Sequence, residues 1–207
     1  MRIVLLMEGF TELYLPPFLK RWLDPRLAPR TIRISPVRYN GYGAYLRDVR
    51  QRVQIHLQSP VTLAVFGLLD LHHLVLPVPY PRNASRAQRI AFARNQITGL
   101  IAPGDRARFH QCFAAQETEA WLLSDPALFP DITLPPPAVA RPEEVNDQVP
   151  PSVLLDRLLR QGGGRGYKKT TRARDLFPKL DPNVVYSKCP NFRAMLDDML
   201  AVAQAAP

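Results

Sequence analysis

Cysteine is nearly absent: Cys112 and Cys189 are the only two in 207 residues, and neither sits in a CxxC or Cys/His spacing. Two thiols make no disulfide framework, and that spacing excludes an ordinary structural zinc site, so the expected setting is the reducing cytoplasm. Long apolar runs are missing as well. Residues 3–7 are aliphatic but stop at Glu8, far short of a signal-peptide core or a membrane-spanning helix. No internal repeat is visible. The glycine-rich segment Gly162-Gly163-Gly164-Arg165-Gly166-Tyr167-Lys168-Lys169-Thr170 lacks the Gly-Lys-Ser/Thr core of a P-loop and follows no hydrophobic strand, which excludes nucleotide hydrolysis by that device. Lysine is scarce too, with 5 against 22 arginines, a bias that GC-rich coding also produces.

The charge that is present is unevenly spread. Net charge is +9, but residues 1–116 hold 16 Lys/Arg against 6 Asp/Glu, whereas residues 117–207 hold 11 against 12. A field of that sign concentrates polyanions, with DNA or RNA the commonest, and nothing points to a membrane. Proline divides the chain differently: of 22 prolines, 12 fall after residue 125. The expected organisation is an α/β core over residues 1–125 and a Pro/Gly-rich, helical extension over 126–207 packed on it as one structural unit.

Hydrophobic periodicity supports that division. Residues 2–7 read as a central parallel strand, followed by a helix from Thr11 and Glu12 to about Leu23 with Pro16 and Pro17 in its first turns. Residues 31–39 read as a second strand. A Gly41-Tyr42-Gly43 turn then opens a helix with Tyr45, Leu46, Val49, Val53 and Leu57 on one face. Residues 61–69 form a third strand ending at Asp70, and a helix capped by Ser85 runs to about Gly99. Residues 106–116 read as a fourth strand and 117–123 as a helical turn. This alternation predicts a mainly parallel, Rossmann-like sheet flanked by helices. Further on, Ser152 is the expected cap of a short helix to Arg160, the triple glycine a mobile loop, and Asn191 the start of a final amphipathic helix bearing Phe192, Leu196, Met199 and Leu200.

In such sheets ligands collect at the carboxyl ends of the strands. Glu8 follows the first strand, Asp70 the third, and Glu117 with Glu119 the fourth, while Glu12 lies one helical turn beyond Glu8. Taken singly each has a plain structural use, as a first-turn helix acid or a turn cap. Taken together they are a candidate metal site, because clustered carboxylates repel and are best neutralised by a hard cation such as Mg²⁺ or Mn²⁺. His72 and His73 lack a convincing third ligand and are read as structural, as are Trp121, Leu122, Leu123 and Cys112 as core residues.

Glu8-Gly9-Phe10-Thr11-Glu12 after a hydrophobic strand resembles the EGxTE opening of Toprim-like proteins. Leu69-Asp70-Leu71, Glu117-Thr118-Glu119-Ala120-Trp121-Leu122-Leu123, Pro142-Glu143-Glu144-Val145-Asn146-Asp147, Tyr167-Lys168-Lys169 and Cys189-Pro190-Asn191-Phe192 follow in the order of the bacterial DUF4276 family. The resemblance implies a Toprim-type fold in which Glu8 is the general acid/base and Asp70 a Mg²⁺ ligand for phosphodiester chemistry. It also implies bacterial defence against phage beside a partner ATPase. The family-type DxD triplet here reads Asp70-Leu71-His72, leaving Glu117 or Glu119 to replace the second aspartate.

Arg157, Arg160, Arg165, Lys168, Lys169, Arg172 and Arg174 form an acid-free run within residues 157–174, suited either to phosphate binding or to a solvated loop. The leading expectation is a Mg²⁺-dependent Toprim-type nuclease or phosphodiesterase-like effector acting on nucleic acid. The rival is a catalytically inactive Toprim-like subunit that binds or regulates a partner protein or nucleic acid, and a weaker third is a sensor of a small anion.

Overall fold

Four short runs of branched and aromatic residues build the sheet in the computed structural model, which describes residues 1–207 apart from 10–13, 73, 145–148, 164, 169–170 and 207. They are β1 (Arg2–Glu8), β2 (Arg33–Tyr39), β3 (Thr62–Asp70) and β4 (Phe109–Ala114), all parallel, in the order β2-β1-β3-β4. Between them run α1 (Leu15–Leu27), α2 (Tyr42–Leu57) and α3 (Arg86–Leu100). The chain builds outward from β1 to β2 and then returns to the other side, so strand order reverses between β1 and β3. That reversal opens a crevice at the carboxyl edge of an α/β sheet.

The strands alternate between two cores, as the period of two demands. Ile3, Leu5 and Met7 of β1 join Phe66 and Leu68 of β3 beneath α1, while Val4 and Leu6 join Val65 and Leu69 beneath α2 and α3. Pro16 and Pro17 do occupy the first turn of α1, where their missing amide donors are harmless. Gly41, at φ +86°, opens α2, and Tyr45, Val49, Val53 and Leu57 bury its inner face. Ser85 closes a reciprocal capping box with Gln88 at α3, accepting from the Gln88 amide at 3.3 Å while Gln88 Oε1 accepts from the Ser85 amide at 2.8 Å.

A buried polar contact lies over β3 on the α2 face of the sheet. The Tyr45 hydroxyl donates to Gln111 Oε1 at 2.6 Å, and Gly67 of β3 lies against the pair. A Cβ at 67 would collide with the Tyr45 hydroxyl and approach Gln111 Oε1 to 2.6 Å.

After β4 come α4 (Glu119–Leu123), α5 (Pro136–Ala140), α6 (Pro151–Gln161), α7 (Arg172–Leu176), α8 (Pro182–Lys188) and α9 (Pro190–Gln204). Residues from 126 onward share the α1 side of the core: Phe129, Leu155, Phe177, Phe192, Leu196 and Met199 belong to one buried cluster with Ile3 and Leu5. Phe18 of α1 meets Phe177 at 5.7 Å and Phe192 at 5.5 Å between ring centroids. Burying each such ring stabilises the fold by about 1.5–3 kcal/mol, so the extension is tied to the sheet at several points.

Two local expectations are corrected. The fourth strand begins at Phe109, because Pro103 starts a 3₁₀ helix through Arg108 that the apolar pattern alone does not reveal. Ser152 does not cap α6: the helix starts at Pro151, and the Ser152 amide is used elsewhere. Arg157 and Arg160 lie on α6, as the expected helix to Arg160 requires. Among the described residues no helix is long and apolar enough to cross a membrane.

Candidate metal centre and basic cleft

The backbone beyond the β3 and β4 termini brings the acids together. Pairing continues past the strands, with the Leu71 amide donating to Ala114 O at 2.9 Å and the His72 amide to Gln116 O at 3.1 Å. The two loops therefore leave the sheet side by side, and the Thr118 amide reaches Asp70 Oδ1 at 3.1 Å. One carboxylate oxygen from each of Asp70, Glu117 and Glu119 then lies within 4.8 Å of the others. Glu119 is 0% exposed and Glu117 8%, with Asp70 half-buried.

Neutral donors hold these groups in place: Thr118 on Asp70, the Ser152 amide on Glu117 Oε2 at 2.9 Å, and the Tyr167 hydroxyl on Glu119 Oε1 at 3.1 Å. Two like charges at this separation repel by about 3 kcal/mol at an effective dielectric of about 20, before any counter-charge. The donor set suits a hard cation. One oxygen from each of the three carboxylates would, after small side-chain adjustment, serve as a ligand to such an ion.

Glu8 ends β1, the strand adjacent to β3, with Met7 paired to Leu68, so Glu8 and Asp70 flank the reversal point on one edge. Among the described residues the convergent group is Asp70, Glu117 and Glu119, and Glu8 stands outside it. Glu12, Lys169 and His73 lie outside the described residues.

The basic residues divide. Arg160, Arg165, Lys168 and Arg172, with Gly166, Thr171 and Asp175, line an open cleft of about 690 Å³. Arg157 is exposed on α6, and Arg174 is an exposed residue of α7. Asp156 pairs with Arg160 at 2.9 Å, and this bond holds its carboxyl below the usual range. The guanidinium of Arg172 donates to Arg165 O at 3.3 Å, fastening the cleft's two ends.

Glu143 was not singled out by sequence as a functional group, and it proves to be a buried structural acid. It accepts from the Asn191 amide at 2.8 Å, Asn191 Nδ2 at 3.0 Å, the Phe192 amide at 3.3 Å and Trp121 Nε1 at 3.4 Å, thereby capping α9. Burial nonetheless raises its pKa, against the lowering effect of those donors. Burial also pushes the Cys112 thiol up to about 12 and the Cys189 thiol well up, so neither is a thiolate nucleophile at neutral pH.

Residues 7–200 match the family model "Domain of unknown function (DUF4276)". The chain belongs to the DUF4276 family. No curated protein matches it in sequence. Two solved structures of the C-terminal region of the Xanthomonas campestris pv. campestris OLD protein are similar to it. One, phased with mercury, is 16% identical over 98% of this chain and 96% of that one, with a TM-score of 0.43. The other, phased with platinum, is 18% identical over 98% and 95%, with a TM-score of 0.41.

The segments that carried the DUF4276 resemblance in sequence meet in space. Asp70, Thr118, Glu119 and Tyr167 join three of them at the acidic cluster, and Trp121, Glu143, Asn191 and Phe192 join the others at α9. Sequence reasoning missed Thr118, Ser152 and Tyr167 as holders of the acids. Tyr167 left a faint signal, the one aromatic among basic and glycine residues, whereas backbone donors such as Ser152 leave none.

Proposed function

We propose that this protein is a Mg²⁺-dependent nuclease of the Toprim class, cleaving phosphodiester bonds in DNA or RNA. The observation that carries this reading is the convergence of Asp70, Glu117 and Glu119 within 4.8 Å at the sheet's carboxyl edge. The core over residues 1–125 supplies the acids, and the extension over 126–207 supplies the cleft. Asp70, Glu117 and Glu119 would hold the ion, whose charge would polarise a phosphoryl oxygen. Glu8, at the adjoining strand end, is assigned to move the proton as general acid/base. Arg160, Arg165, Lys168 and Arg172, which line the cleft, are assigned to anchor the phosphate chain, as are Arg157 and, from the sequence alone, Lys169. A cytoplasmic role in phage defence beside a partner ATPase accords with the Toprim resemblance.

Incubation of the purified protein with plasmid and with RNA, across Mg²⁺ and Mn²⁺, tests this reading against a Glu8→Gln/Asp70→Asn double variant. Cleavage that needs no metal, or that survives both substitutions, sinks it. One observation favours a second reading, a silent regulatory subunit: His72 stands where the resemblance expects a second aspartate. Calorimetry separates the two, since a silent subunit takes up no Mg²⁺ at millimolar concentration yet binds nucleic acid or its partner in a salt-sensitive way.

A further inference from the structure

The two glutamates of the metal centre are both fastened to the arm that carries the basic cleft. Glu117 accepts from the Ser152 amide at 2.9 Å, in the first turn of α6, the helix that later presents Arg157 and Arg160. Glu119 accepts from the Tyr167 hydroxyl at 3.1 Å, and Tyr167 lies between Gly166 and Lys168, both of which line the cleft. Tyr167 is 7% exposed, while its neighbour Lys168 is exposed to solvent. The Tyr167 hydroxyl is thus a short buried strut between the acids and the phosphate-holding surface. A shift of the Glu119 carboxylate toward a cation either carries the strut with it or strains it.

Resting on the metal-dependent reading above, we propose that Tyr167 is a positioning residue that couples cation binding at Asp70, Glu117 and Glu119 to binding of a phosphodiester chain by Arg160, Arg165, Lys168 and Arg172. A cation fixes Glu119, Glu119 fixes Tyr167, and Tyr167 fixes the backbone from which Lys168 and Arg165 reach the phosphates. The chain then binds a surface already ordered, and by thermodynamic reciprocity the bound chain tightens cation binding by the same factor.

The test measures affinity of the full chain for a fluorescein-labelled thymidine 20-mer at constant ionic strength, with EDTA or with saturating Ca²⁺, which replaces Mg²⁺ so that binding rather than cleavage is read. In the wild type Ca²⁺ should tighten oligonucleotide binding about tenfold, within the usual range of such couplings. Tyr167→Phe removes one hydroxyl and no charge, so affinity in EDTA and the thermal midpoint stay close to wild type while the Ca²⁺ effect falls to about threefold or less. An unchanged Ca²⁺ effect in Tyr167→Phe, or none in the wild type, overturns the coupling. An Arg165→Ser/Lys168→Ser double variant gives an independent arm: its Ca²⁺ affinity without DNA should match wild type and its linkage should vanish, and a surviving linkage counts against the proposal. Cleavage without linkage defeats the coupling and spares the nuclease, whereas linkage without cleavage in Mg²⁺ does the reverse.

Discussion

Glu143 and Glu119 are both carboxylates withdrawn from water, at 3% and 0% exposure, and both accept hydrogen bonds, but only Glu119 has two other carboxylates gathered beside it. Glu143 stands at the start of α9 among N–H donors from Trp121, Asn191 and Phe192. Glu119 stands among other carboxylates, with Asp70 and Glu117 within 4.8 Å. A lone acid matched to a helix terminus completes a fold, because its donors would otherwise go unsatisfied. Acids gathered against one another weaken a fold and are tolerable where a cation is to be held. Burial alone therefore does not separate a structural carboxylate from a candidate ligand, whereas convergence with other carboxylates marks the candidate.

That contrast can be broken by substitution. The largest effect is expected on cleavage: Glu8→Gln should lower it by about 10²–10⁴-fold, and Asp70→Asn with Glu119→Gln at least as far. The metal-centre double variant should be no less stable than wild type in EDTA, because it removes repulsion; a large loss of stability there would make that centre a structural acid cluster. Glu143→Ala should behave the other way. It strands buried donors and should cost about 3 kcal/mol, or roughly 6–12 °C in thermal midpoint, by calorimetry in EDTA.

A smaller effect is expected from metal alone. At a hundredfold excess over its dissociation constant, Mg²⁺ should stabilise the wild type by about 2.7 kcal/mol and raise the midpoint by roughly 5–10 °C, with no shift in Asp70→Asn/Glu119→Gln. Glu143→Ala should keep the full metal-induced rise. The smallest effect is on pH dependence. Burial raises the Glu143 pKa above the ordinary glutamate value of 4.5, so the folded chain holds this proton to higher pH than the unfolded one. Its contribution is fully present below pH 4.5 and declines as pH rises through the folded value. Chemical denaturation of wild type and Glu143→Gln across that window should show wild type losing ground to the variant with rising pH, and a difference in the opposite direction would mean that the N–H donors outweigh desolvation.

Much of the sheet was legible because strand signals are local. The hydrophobic runs at residues 3–7 and 61–69, each closed by an acid, fixed both the parallel core and the edge on which the acids stand. Ser85 announced its helix because both halves of the capping box lie three residues apart. The start of β4 was not legible, since a 3₁₀ turn and an extended segment show similar apolar patterns over six residues. Nor were the supports of the site. Ser152 meets Glu117 across 35 positions and Tyr167 meets Glu119 across 48, so composition gave the acids and the bases while only the folded chain shows them strapped together.

The contact of Gly67 with the Tyr45–Gln111 pair also has a consequence for how this chain tolerates change. Position 67 contributes no chemistry, but even one added methyl group would have to displace a buried hydroxyl. In a saturation library scored for soluble protein, that codon should stand out as intolerant of every replacement, alanine included, while codons for exposed arginines on α2 vary freely.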